Sequence, residues 1–177
     1  MKLKAWVVVF GCVLLAGCGG IQSRADQGDA NAQFELGVMY DLGLGMSQDD
    51  GQAVVWYRKA ADQGVPAAQY RLGLMYANGL GVPRDAPHAA VLTRNAADQG
   101  LPEAQYRLGL MYVNGLGVPR DAGHAAAWYR KAADLGLPEA QHRLGLMYAN
   151  GRGVPQDAEH AAAWTRKAAD QGVPEAQ

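Results

Sequence analysis

From residue 28 onward, apolar residues recur at helical spacing in two short stretches joined by a glycine-rich turn, and this pair of stretches repeats every 36 residues. In the third copy, Ala104, Leu108, Met111 and Tyr112 stand at i, i+4, i+7 and i+8, so they share one face of a helix. Pro102 suits the first turn of that helix, and Glu103 lies near the positive end of its dipole. Asn114-Gly115 ends it, glycine supplying the left-handed residue that commonly follows a helix. After the connection "LGVPR", Asp121 is placed to cap a second helix, whose apolar face is Ala125, Trp128, Tyr129, Ala132 and Ala133. Each copy predicts two antiparallel helices.

The same step aligns Gly37, Gly73, Gly109 and Gly145, and likewise Trp56, Leu92, Trp128 and Trp164. Four repeats follow, at 28–63, 64–99, 100–135 and 136–171, with a partial repeat over 172–177. "RADQ" at 24–27 resembles the tail of a preceding one. No helix pair can bury its apolar face alone, so successive pairs must stack. The expected fold is all-α, a right-handed αα-solenoid of four 36-residue helix-turn-helix repeats with partial repeats at both ends, spanning 24–177. The apolar end left by the truncated repeat implies either a fragment or a covering subunit.

"AQYRLGLMY" occurs at 68–76 and 104–112, and again at 140–148 with His142 in place of tyrosine. A glycine inside a helix costs about 1 kcal/mol relative to alanine. Duplication copies flaws, and that is one reading. The other is close approach of a neighbouring helix, under Trp128 or Tyr129. The first repeat has drifted to "AQFELGVMY" yet keeps its glycine, which favours close approach. His142 marks where the stack is expected to differ most from its neighbours.

The first residues carry a different pattern. Lys2 and Lys4 precede an apolar run from Ala5 to Ala16, and Leu15-Ala16-Gly17-Cys18 looks like the lipobox of bacterial lipoproteins. Residues 1–17 are thus expected to be a lipoprotein signal peptide, Cys18 the lipidated residue and 18–23 a short tether. A plain secretory signal or an uncleaved anchor is the alternative, although the run falls short of the ~20 residues a spanning helix needs. Cys12 would leave with the signal, so disulfides hold nothing together. Losing Lys2 and Lys4 leaves 14 basic against 17 acidic residues, a net charge near −3. With no basic stripe, that argues against a nucleic-acid partner.

The repeat pattern "G...AQYRLGLMYANGLGVPRD...A..WYRKAADQG" resembles the Sel-1-like repeat (SLR) family, relatives of the tetratricopeptide repeats, over residues 24–177. The resemblance implies an αα-solenoid adaptor that assembles protein complexes, often at membranes. Two departures matter. Gln52, His88, His124 and His160 stand where the family usually has lysine, and the cysteine pairs of the members credited with penicillin binding or β-lactamase activity are absent.

Candidate chemistry is sparse. Ser23 and Ser47 are the only serines and begin no nucleophile motif. His88, His124 and His160 occupy equivalent places on successive second helices whose axes should lie at least about 8 to 10 Å apart, whereas zinc needs nitrogens at roughly 2.1 Å. They read as surface histidines, and no metal or cofactor is expected. Asp85, Asp121 and Asp157 are explained as helix caps. "NGLGV" lacks the Gly-Lys-Ser/Thr ending of a phosphate loop.

Opposite the core stripe of the first helices lie Arg71, Leu74 and Asn78, then Arg107, Leu110 and Asn114, then Arg143, Leu146 and Asn150. Arginine with leucine suits protein recognition, and first helices line the concave side of tetratricopeptide solenoids. These nine residues are the candidate groove. The competing reading is a solvated face with i, i+4 pairs of Glu103 with Arg107 and Glu139 with Arg143. The expected function is a membrane-anchored adaptor without catalysis in the bacterial cell envelope, held by lipid at Cys18 on a periplasmic or outer-membrane face. Its protein partner is unknown. The alternatives are a cell-envelope hydrolase or penicillin-interacting protein, and a passive spacer.

Overall fold

A computed structural model describes residues 20–173. The expected signal peptide, Cys18 and residues 174–177 of the partial repeat lie outside them. Among the described residues the structure is helical throughout. A helix over residues 20–26 (α1) is followed by α2 (Ala30–Leu42), α3 (Asp50–Asp62), α4 (Pro66–Asn78), α5 (Ala86–Asp98), α6 (Pro102–Asn114), α7 (Ala122–Asp134), α8 (Pro138–Asn150) and α9 (Ala158–Asp170). The segment read as a tether over 18–23 is therefore helical from residue 20 onward. The chain divides into two compact units, one running to Arg84 and the other starting at Asp85.

Local chemistry sets the helix ends. Pro102 and Pro138 stand in the first turns of α6 and α8, after Leu101 and Leu137 in extended backbone. Gly115 (φ 71°) and Gly151 (φ 64°) turn left-handed to stop those helices. Asp49, Asp85, Asp121 and Asp157 cap α3, α5, α7 and α9, each accepting from the backbone N–H three residues on. The second glycine of each turn answers a different demand. A Cβ on Gly117 would overlap the Ala86 carbonyl, and one on Gly153 that of Ala122. The turn thus rests on the start of the previous second helix.

In the first unit Ala25, Ala32, Leu36 and Trp56 form a core to which Ile21, Met39 and Met46 add partly buried area. In the second, Leu108, Met111 and Tyr112 of α6 bury with Trp128 and Tyr129 of α7, as the helical spacing requires. The glycine question resolves there. A Cβ on Gly109 would stand 2.5 Å from Cε1 of Tyr129, and one on Gly37 2.5 Å from Cδ1 of Tyr57. Both tyrosines are buried, so their rings cannot yield. Close approach holds the glycine in place.

A buried glutamine ladder escaped the sequence reading. Gln33, Gln105 and Gln141 donate Nε2 to the carbonyls of Ala25, Ala97 and Ala133 on the preceding helix, at 3.1, 3.1 and 3.2 Å. Gln63 and Gln171 then donate to Oε1 of Gln33 and Gln141, at 2.7 and 2.8 Å. The third repeat has Leu135 at that place, and Oε1 of Gln105 is buried without a partner. His142 is the altered letter of the fourth repeat. Where Phe34 and Tyr106 lie 5.8 and 5.6 Å from the rings of Tyr57 and Tyr129, the fourth repeat has Thr165, and Nδ1 of His142 is buried and unpaired.

Candidate functional site

The nine first-helix residues fall in both units. In the second, α6 and α8 turn their core stripes inward and leave Arg107 and Leu110 half-buried, with Asn114, Arg143, Leu146 and Asn150 exposed. Leu110, Asn114, Arg143, Leu146 and Asn150 line one cleft of about 430 Å³, whereas Arg107 does not reach it. Asn114 and Asn150 each donate Nδ2 back to their own helix, to the carbonyls of Leu110 (2.9 Å) and Leu146 (2.8 Å), which fixes the amides at the rim. No ion pair joins Glu103 to Arg107 among the described residues.

The cleft also holds residues that sequence reasoning missed. Arg120 and Arg152 come from the turns after α6 and α8, Val113 from the last turn of α6, and Tyr129 from α7. Burial pushes the Tyr129 phenol well above its usual range, and the positive charges of Arg143 and Arg152 oppose that shift. Arg120 donates Nε to the carbonyl of Asn114 at 3.2 Å, tying the turn to the helix end. A signal for Arg152 was present in the repeat alignment, where the same place holds Leu44, Leu80 and Leu116.

The first-unit set has other partners. Arg71, Leu74 and Asn78 lie on α4, and Nη1 of Arg71 stands 3.9 Å from Oδ2 of Asp41. The Tyr57 hydroxyl donates to the same Oδ2 at 2.9 Å. Burial, and then the negative charge of Asp41, keeps that phenol protonated. Tyr57, Asp41 and Arg71 thus form a closed polar triad.

The histidines lie on the surface and are engaged. Nδ1 of His124 is 2.7 Å from Oδ2 of Asp121, and Nδ1 of His160 stands likewise to Asp157. Their rings stack on Tyr112 and Tyr148 at 5.1 and 5.0 Å. Arg94 and Arg130 donate to the hydroxyls of those tyrosines. The N–H donated by His124, and then its ring, hold the Asp121 carboxyl below the usual carboxylate range, and His160 does the same for Asp157. Among the described residues no three His, Cys, Asp or Glu side chains gather as metal ligands. No helix among them is long and apolar enough to cross a membrane.

Solved structures carry the same architecture. A protective antigen of uropathogenic Escherichia coli strains, displaying an SLR fold, is 42% identical with a TM-score of 0.87 over 90% of this chain and 34% of its own. A Sel1 repeat protein from Oxalobacter formigenes is 44% identical with a TM-score of 0.82 over 88% of this chain and 46% of its own. An immunity protein from Pseudomonas aeruginosa is 27% identical with a TM-score of 0.57, over 83% of this chain and 55% of its own. The chain thus spans about a third to a half of the length of these relatives. No curated protein matches the chain significantly. The Sel1 repeat itself matches at 30–65, 66–101, 102–137 and 138–173, starting at or within a few residues of the first helix of each pair. Such repeats are in general non-catalytic scaffolds for protein–protein interaction. With four of them in tandem along most of its length, the chain belongs to the Sel1 repeat family.

Proposed function

We propose that this protein is an adaptor of the bacterial cell envelope, anchored through lipid on Cys18, that binds a protein partner on the outer stripe of α6 and α8 and performs no chemistry of its own. The observation that carries the reading is the cleft of about 430 Å³, which five of the nine first-helix candidates line. Leucine there offers apolar area, and arginine and asparagine offer fixed donors, a combination suited to protein recognition. The lipobox-like Leu15-Ala16-Gly17-Cys18 supports the anchor, and the relatives from Escherichia coli and Oxalobacter formigenes support a bacterial setting.

A photoreactive residue at Leu146, used in intact cells, tests it against the same residue at exposed Ala127 on α7. One partner captured from Leu146, absent from Ala127 and lost in Arg143→Glu, is expected. Equal capture from both sites would leave a spacer, and turnover of an envelope substrate by the purified chain would favour a hydrolase.

A further inference from the structure

Three leucines of the first unit stand exposed at one edge. Leu42 ends α2, Leu44 lies in the turn that follows, and Leu80 holds the same place in the turn after α4; they are 55%, 52% and 43% exposed. A Cβ on Gly81 would overlap the Asp50 carbonyl, so the turn bearing Leu80 rests on the start of α3, into which the turn bearing Leu44 leads. The three side chains therefore share an edge. Lone surface leucines need no explanation, whereas grouped ones mark a contact with protein or lipid.

The start of α1 points to the same edge. The Asp29 N–H donates to the Arg24 carbonyl at 3.1 Å and Gln33 donates Nε2 to that of Ala25, so α1 meets the beginning of α2 at a tight turn and runs back along it. Towards its other end, Ile21 packs into the core that also takes Met39, from the last turn of α2, and Met46, from the turn beyond. Cys18 precedes Ile21 by three residues, a reach of at most about 11 Å.

We infer that Leu42, Leu44 and Leu80 dip into the lipid surface that holds the chain, so that the edge formed by the turns after α2 and α4 lies on the membrane. This rests on the lipid reading of Cys18 above and adds the face that meets the bilayer. A tether this short keeps the edge at high local concentration beside the lipid, so a few apolar side chains suffice. The two turns set Asp49 and Asp50 against Arg84 alone, so attraction to anionic lipid does not hold the edge down and apolar contact must. At the place of Leu44 and Leu80 the second unit has Leu116, less exposed at 37%, and then charged Arg152. The apolar run thus belongs to the repeats nearest Cys18 in sequence.

The experiment uses the full chain, made with residues 1–17 in a bacterium that processes lipoproteins and reconstituted in phosphatidylcholine vesicles. With lipid on Cys18 and Cys12 removed, a cysteine introduced at Leu44, Leu80 or Asp62 is the only free thiol, and it carries a fluorophore. Asp62 is exposed at the far end of α3 and serves as control. Interfacial contact sinks an apolar group about 5 to 10 Å into the headgroup and acyl boundary, so brominated lipid should quench at least about half the emission at Leu44→Cys and Leu80→Cys and little at Asp62→Cys. Adding Leu42→Ser and Leu80→Ser to Leu44→Cys should relieve the quenching with helical circular dichroism unchanged, and about 1 M salt, where the Debye length is about 3 Å, should not. Absence of labelled palmitate from the chain would overturn the anchor and this inference with it. Palmitate present with all three positions equally unquenched, quenching that survives the serines, or quenching abolished by salt would overturn this inference alone. So would capture of a protein in place of lipid by a photoreactive residue at Leu44 in intact cells.

Discussion

Gly109 and Gln105 show what one residue contributes here. The glycine lowers the helix propensity of α6, and its return is the contact it permits, with Cε1 of Tyr129 2.5 Å from where a Cβ would stand. The repeated glycine was plain in the sequence, and so was a bulky neighbour above it. Which of Trp128 and Tyr129 lies there depends on how far α7 is rotated about its axis, and spacing does not set that angle. Gln105 was invisible for a related reason. A polar letter beside Ala104 reads as surface until the preceding helix puts the Ala97 carbonyl 3.1 Å from its amide. Its Oε1 lacks the partner that Gln63 and Gln171 give the equivalent glutamines. Leu135→Gln should supply that partner at an exposed site and stabilise the chain by about 1 kcal/mol. Denaturant unfolding checks this, and an unchanged or lower midpoint would mean that the ladder adds nothing there.

The helices themselves were the most legible level. Proline at the first turn, glycine after the last and aspartate before the second helix each act through local backbone geometry. Their effect survives whatever the helix packs against, and the expected ends agree with the observed ones. The caps also carry a pH dependence. Asp121 and Asp157 have folded pKa values below the ordinary carboxylate range, because the backbone N–H groups of His124 and His160 donate to the charged form. A lowered folded pKa means that the contribution is fully present above the ordinary carboxylate value and is lost as pH falls through the lower folded value. The double variant Asp121→Asn, Asp157→Asn still caps but does not titrate. Its thermal midpoint should fall less steeply than that of the parent between about pH 5 and pH 2. Parallel slopes would assign the acid sensitivity to other carboxylates.

At the scale of the whole molecule, the proposed anchor and the proposed groove work together only if the chain is tethered, and Cys18→Ala tests the tether. The variant should incorporate no labelled palmitate and should leave the membrane fraction, whereas retention of label would overturn the lipid assignment. Of the nine groove candidates, helical spacing placed each on an outward stripe without a fold in hand. It did not separate Leu110, Asn114, Arg143, Leu146 and Asn150, which share a cleft, from Arg71, which faces Asp41. Nor did it find Arg120, Arg152 and Tyr129, which come from turns and from a second helix. The sequence by itself determined the all-α repeat, the helix ends and the inward faces, since period and capping act within one segment of chain. Only the tertiary structure decided which side chain covers Gly37, Gly109 and Gly145, where a cleft opens, and that Arg71 faces Asp41. Those depend on the rotation and spacing of helices against one another, which side chains distant in sequence settle by contact.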